Sequence, residues 1–210
     1  MAAGCALITL TALAATACAS SGWAYVKGSR VKTYFKVPEA WKLYNDQEIF
    51  AATPDSEISP QQLARRRASQ WVVAFDGDPS PSISHILDEH ARYPMGFAKV
   101  RLITDSERDT FSLASLRNEV MPLDDVRKLG NGTVEPLKVQ DIVRHDGMHG
   151  NRQVQNVKVE GGFFTMDQTA LVDPGTRLLY LLLVGCEARC YLDNQTTIDE
   201  IVRSWTVKAP

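Results

Sequence analysis

The sequence predicts an α+β fold in which a twisted antiparallel sheet is flanked by helices. Three observations predict it. Val134–His145, Arg152–Val159, Phe163–Val172 and Arg177–Gly185 are four successive strand-like runs, and their short connections favour antiparallel neighbours. Within the last run, Leu178–Val184 (LLYLLLV) is almost wholly apolar, which predicts a strand covered on both faces. Beyond it, Ile198, Ile201, Val202 and Trp205 recur at i, i+3, i+4 and i+7, a single helical stripe that must pack on a sheet.

Taken in order, the chain opens with MAAGCALITLTALAATACAS, uncharged, rich in Ala, Leu, Thr and Ile, and ending in small residues. This is the pattern of a secretory signal, too weakly apolar for a membrane span, which needs about 20 strongly apolar residues. Ala15-Thr16-Ala17-Cys18 resembles a bacterial lipobox, although Ala15 stands where Leu, Val or Ile is usual. The expected organisation is a signal over 1–17, an acylated Cys18 opening a tether over 18–29, and one domain over 30–208. Two or three acyl chains would hold the domain at the outer face of the cell membrane. In the tether, Trp23 and Tyr25 either rest at the headgroup level or are disordered.

Arg30–Val37 alternates Val31, Thr33, Phe35 and Val37 with basic residues, a half-buried strand, and Trp41, Leu43 and Tyr44 suggest a second. Ser59-Pro60 opens a helix through Gln70, followed by strands at Trp71–Phe75 and Phe97–Ile103. The stretch Asp78–Pro94 reads as a loop with a helical turn or two around Ile83–His90. Ser106–Met121 reads as one helix on the spacing of Leu113, Leu116 and Val120, with a second after Pro122 that stops at Gly130. Asp173-Pro174-Gly175 is a turn in which the glycine takes the positive dihedral. Thr197-Ile198-Asp199-Glu200 has the form of a capping box and would start the closing helix.

The formal charge of −2 provides no basic field for nucleic acid, and Arg65-Arg66-Arg67 reads as a solvated helix face. With Cys5 in the signal and Cys18 acylated, Cys186 and Cys190 remain for the exported domain. Their three-residue separation is not that of a redox C-x-x-C motif, and the adjacent sequence offers no further zinc ligands. In an exported chain the pair reads as a structural disulfide.

Candidate chemistry is sparse. His145, Asp146 and His149 offer two imidazoles and a carboxylate to a divalent metal, but Gly147 and Gly150 argue against a shared helix face and favour a hairpin loop. Asp76-Gly77-Asp78 reads as a solvated turn, and His85 and His90 as surface residues. There is no G-x-S-x-G elbow and no glycine-rich phosphate loop, and Ser204 reads as a helix-packing position. No catalytic residue and no cofactor are expected.

The meander, the strand ending LLVGCEARCY and the terminal helix TIDEIVRSWTV resemble the PsbP/Mog1-like family, and more closely actinobacterial lipoproteins of that fold. VKTYFKVPEAWKLYND resembles the family's first hairpin, in which a strand reaches Val-Pro and continues through a Trp-containing strand. The resemblance spans residues 30–208 and implies an α/β/α sandwich. It also implies partner binding, since PsbP proteins are accessory subunits of photosystem II and Mog1 binds a small GTPase. The leading expectation is a non-catalytic extracytoplasmic module that binds a protein or a cell-envelope component. The alternatives are a carrier of a lipid or other apolar ligand, and a metal-dependent hydrolase using His145 and His149.

Overall fold

The structure, a computed structural model, describes residues 22–52, 59–86, 88–130 and 132–208. The core is a seven-stranded antiparallel sheet. Its members are β3 (Lys42–Tyr44), β4 (Gln70–Asp76), β5 (Met95–Leu102), β6 (Val134–Val143), β7 (His149–Val159), β8 (Gly162–Val172) and β9 (Leu178–Glu187). They lie in the order β3-β4-β5-β9-β8-β7-β6. The doubly covered strand expected from LLYLLLV is β9, which lies mid-sheet between β5 and β8 with Leu179 through Cys186 all buried.

A second sheet contains β1 (Trp23–Gly28), β2 (Thr33–Pro38) and β10 (Thr206–Val207), with β2 in the middle. Residues 23–28 are therefore not a tether, and the folded body begins ahead of residue 30. Their period-two pattern explains why: Val26 and Gly28 point in, while Tyr25 and Lys27 point out. Trp23 packs against the core with the Lys36 ammonium 4.7 Å from its ring centroid, which corrects its assignment to a membrane interface or a disordered tether. β2 starts at Thr33 rather than Arg30 because Ser29–Val31 form a 3-10 turn closed by Lys32 at φ 54°.

The helices cover both faces of the large sheet. α1 is Asp46–Ala52, and α2 is Pro60–Ser69, where Ser59 and Gln62 form a capping box ahead of the expected first-position proline. The single helix expected over 106–121 is instead α3 (Asp105–Asp109) and α4 (Leu113–Arg117). Local capping wins here, because the Thr104 and Ser112 side chains accept the amides of Glu107 and Ser115 and each starts its own short helix. α5 is Leu123–Lys128, and α6 is Ala188–Ser204. Because α6 starts directly after β9, Thr197 lies inside it and is not an N-cap. No glycine or proline interrupts 188–204, so nothing delays the helix until Thr197.

Side-chain direction identifies the layers. In β8 the Asp167 carboxylate meets Tyr191 of α6, while the adjacent Gln168 amide donates to the Leu116 carbonyl of α4. Successive strand residues point to opposite faces, so α6 and α4 lie on opposite sides of the sheet. β2 lies on the α6 side: its Lys36 amide donates to the Ser204 hydroxyl, and Phe35 and Phe75 have ring centroids 6.0 Å apart. The Asp173-Pro174-Gly175 turn forms with a difference, since the positive dihedral (φ 49°) falls on Thr176. Asp173 compensates by accepting the amides of Arg177 and Leu178, each at 2.6 Å.

Candidate functional site

Cys186 is the penultimate residue of β9 and Cys190 lies in the first turn of α6, with Cα atoms 5.9 Å apart and the sulfurs bonded. The pair is buried and pins the central strand to the closing helix. Replacing both with alanine is expected to cost about 2 kcal/mol, the loop-closure term for so short a ring. The shift of the urea midpoint would measure it. Cys18 lies outside the described residues.

His145 and Asp146 lie in the β6–β7 connection, with Gly147 at φ 83°, and His149 opens β7. Asp146 is committed to an ion pair with Arg144 and accepts the Met148 amide at 3.3 Å. The His149 ring Nδ1 lies 3.1 Å from the Gly147 carbonyl, and Arg144 donates to the Val207 carbonyl of β10. These contacts hold a hairpin loop against β10. Among the described residues no three His, Cys, Asp or Glu side chains are placed to share a metal ion.

Asp76 is not in a solvated turn. It is 1% exposed and accepts the amides of Asp78 and Ser82 together with His85 Nδ1 at 2.8 Å. His85, expected to be a free surface residue, is therefore tied to a buried carboxylate. Beside the pair is a cleft of about 360 Å³ lined also by Asp78, Asp88, His90 and Tyr93, and among the described residues no Ser, Thr or Cys lines it. An imidazole held by a carboxylate orients well for base chemistry, but among the described lining residues it meets no Ser or Thr hydroxyl and no Cys thiol to activate. Its evident work is to fasten the loop after β4.

A cleft of about 470 Å³ lies between α6 and the β6–β8 end of the sheet. Arg152 on β7 lines the cleft floor, and Asp167 on β8 lies buried beneath it, facing α6. The guanidinium grips Asp167 through Nε at 3.0 Å and Nη2 at 2.6 Å, and Nη2 also reaches Asp199 at 2.8 Å. The Tyr191 hydroxyl donates to the same Asp167 at 2.9 Å. Around this knot stand Leu137, Val154, Ala188 and Leu192, with Thr165 donating to Asn156 at 2.7 Å. Leu137 and Leu192 are 56% and 63% exposed, so the rim is apolar and open.

The electrostatics follow from burial. Desolvation opposes the Arg152 charge, but the bonds and charges of Asp167 and Asp199 outweigh it and raise its pKa further. Burial, then the Asp167 charge and hydrogen bond, push the Tyr191 phenol well above its ordinary 10. The folded phenol thus keeps a proton that the unfolded one loses, so this stabilisation is complete below pH 10 and declines as pH rises beyond it. Tyr191→Phe is expected to cost about 1.5–3 kcal/mol at neutral pH, as a hydrogen bond to a charged group is lost. It should also flatten the alkaline loss of stability, as urea midpoints at pH 9 and about pH 11 would show.

Arg152, Asp167, Tyr191 and Asp199 were not identified from the sequence as a group, because they are scattered over three elements. One signal was available: a lone Asp inside FFTMDQTALV must be paired if that strand is buried.

No family model matches the chain, and no curated protein matches its sequence. Among solved structures it is similar to the cyanobacterial PsbP (CyanoP) of Synechocystis sp. PCC 6803, with 12% identity over 91% of this chain and 95% of that one, at a TM-score of 0.56. It is also similar to the Ran-binding protein Mog1p of Saccharomyces cerevisiae, with 10% identity over 90% of this chain and 97% of that one, at a TM-score of 0.46. The likeness to the cyanobacterial protein establishes the architecture: the chain has the PsbP/Mog1-like fold.

Proposed function

We propose that this chain is a non-catalytic binding module that recognises a protein partner through the cleft between α6 and β6–β8. One observation carries the reading. At the cleft floor Arg152 is spent on Asp167 and Asp199, and Tyr191 on Asp167, while the rim presents Lys138 and the exposed Leu137 and Leu192. A catalytic site needs a base or nucleophile free to act on substrate, whereas this floor is a rigid support. A carrier of apolar ligands needs those leucines enclosed. The module works outside the cytoplasm, tethered by acylated Cys18. The lipobox-like sequence and the formed Cys186–Cys190 bridge support that location.

The experiment is site-specific photo-crosslinking in intact cells. A photoreactive residue at Leu192 is expected to trap one protein species, and the same residue at Leu129, exposed at the end of α5, is expected to trap none of it. Equal yields at both positions would sink the reading. For the location, Cys18→Ala is expected to release the protein from the membrane fraction.

A further inference from the structure

The strand beside the cleft rim is the outermost of its sheet. β6 pairs with β7 on one side and has no strand on the other among the described residues. A free edge offers unpaired N–H and C=O groups to any extended chain, and folded proteins protect such edges with proline, bulges and charge. In β6 that protection is concentrated at one end: Glu135, Pro136, a register shift between Pro136 and Lys138, and Lys138 itself. The remaining Val139–Val143 is regular in register and carries a single charge, Asp141, with Val139 and Val143 61% and 86% exposed. From this we infer that β6 takes up an extended segment of a partner protein as an eighth strand. This inference rests on the cleft being a recognition surface, and it states what enters beside it.

The pairing with β7 fixes which side chains the added strand meets. Lys138 and Gln140 oppose Val154 and Arg152, so they share the cleft face with Ile142. Val139 and Asp141 oppose Gln153 and Asn151 on the other face, as Val143 does by alternation. A second copy of the chain fits poorly. A two-fold edge pairing places one residue opposite its own copy. Centred on Gln140, it sets Val139 against Asp141 and Lys138 against Ile142. On Asp141 it opposes two carboxylates, and on Val139 it runs across the register shift. A different segment is complementary when, running antiparallel, it presents apolar, apolar, basic, polar, apolar and acidic residues opposite Val143 back to Lys138.

The test uses the full chain and two labelled peptides, Val-Ile-Lys-Thr-Val-Glu and its charge-swapped form Val-Ile-Glu-Thr-Val-Lys, each flanked by glycines. The protein is expected to bind the first at least about fivefold more tightly, because two cross-strand charge pairs turn from attractive to repulsive in the second. Lys138→Glu combined with Asp141→Lys, both on exposed positions, should reverse the preference. Binding of neither peptide, equal binding of both, or a preference that the double variant does not reverse would overturn the inference. Self-association through β6 that the double variant abolishes would do the same. The cleft reading stands or falls separately, on the crosslinks from Leu192.

Discussion

Arg152→Ala is expected to lower stability by about 3–5 kcal/mol, because it leaves a buried carboxylate without its counter-charge. The Asp167 side chain is fully buried and Arg152 only 12% exposed, so water cannot replace the two guanidinium bonds. For a chain of this size the midpoint of thermal unfolding should fall by roughly 10 °C or more. The Asp199 arm contributes little to that loss, since its carboxylate is 35% exposed and solvent screens it. A second variant separates a broken pair from a merely altered core. Arg152→Met with Asp167→Leu and Tyr191→Phe removes both charges and the buried hydroxyl that needs Asp167, and is expected to regain most of the stability, as apolar replacement of a buried pair often does. A loss under about 1 kcal/mol for the single variant would show that the carboxylate is not charged and dry as the geometry indicates.

Gly96→Ala should be more damaging still, about 4 kcal/mol or more, and is expected to leave little folded protein. Gly96 is in β5 opposite Val184 of β9, at the centre of the large sheet. A Cβ there would overlap the Leu183 carbonyl oxygen and lie 2.6 Å from Phe75 Cζ. The Phe75 ring, which is 0% exposed and contacts both Phe35 and Trp41, has nowhere to go. The carbonyl belongs to the most buried strand, so relief requires the β5–β9 ladder to part. Soluble yield and circular dichroism would report the outcome. A variant expressed and folded like the parent would mean that this ladder yields far more than close packing allows.

These two sites also show where sequence reasoning succeeds and fails. Periodicity located β7, β8 and β9 because a half-buried or fully buried strand declares itself over ten residues, and the Asp173 turn marked their separation. It failed where a few residues decide the outcome. Trp23–Gly28 alternates only through Tyr25, Val26, Lys27 and Gly28, beside small and polar residues, and it becomes a strand because β2 is there to pair with it. Thr104 and Ser112 each match a cap, yet nothing local says that both prevail over one continuous helix. The cysteine bridge was legible because the expected signal and lipobox claim Cys5 and Cys18, and one pair is left. The Arg152–Asp167–Tyr191–Asp199 knot was not, because its members are up to 47 positions apart and meet only once α6 lies across the sheet.

The small sheet has a mechanical consequence. β1 is attached to the body by six residue pairs with β2, beginning at Trp23 opposite Pro38 and ending at Gly28 opposite Thr33. A pull arriving from the amino-terminal side and directed away from the sheet loads the bond from the Glu39 amide to the Gly22 carbonyl first, then the Trp23–Pro38 pair and each following pair in turn. The hairpin would peel like a zipper at low force, while the disulfide-pinned β9 and α6 bear none of the strain.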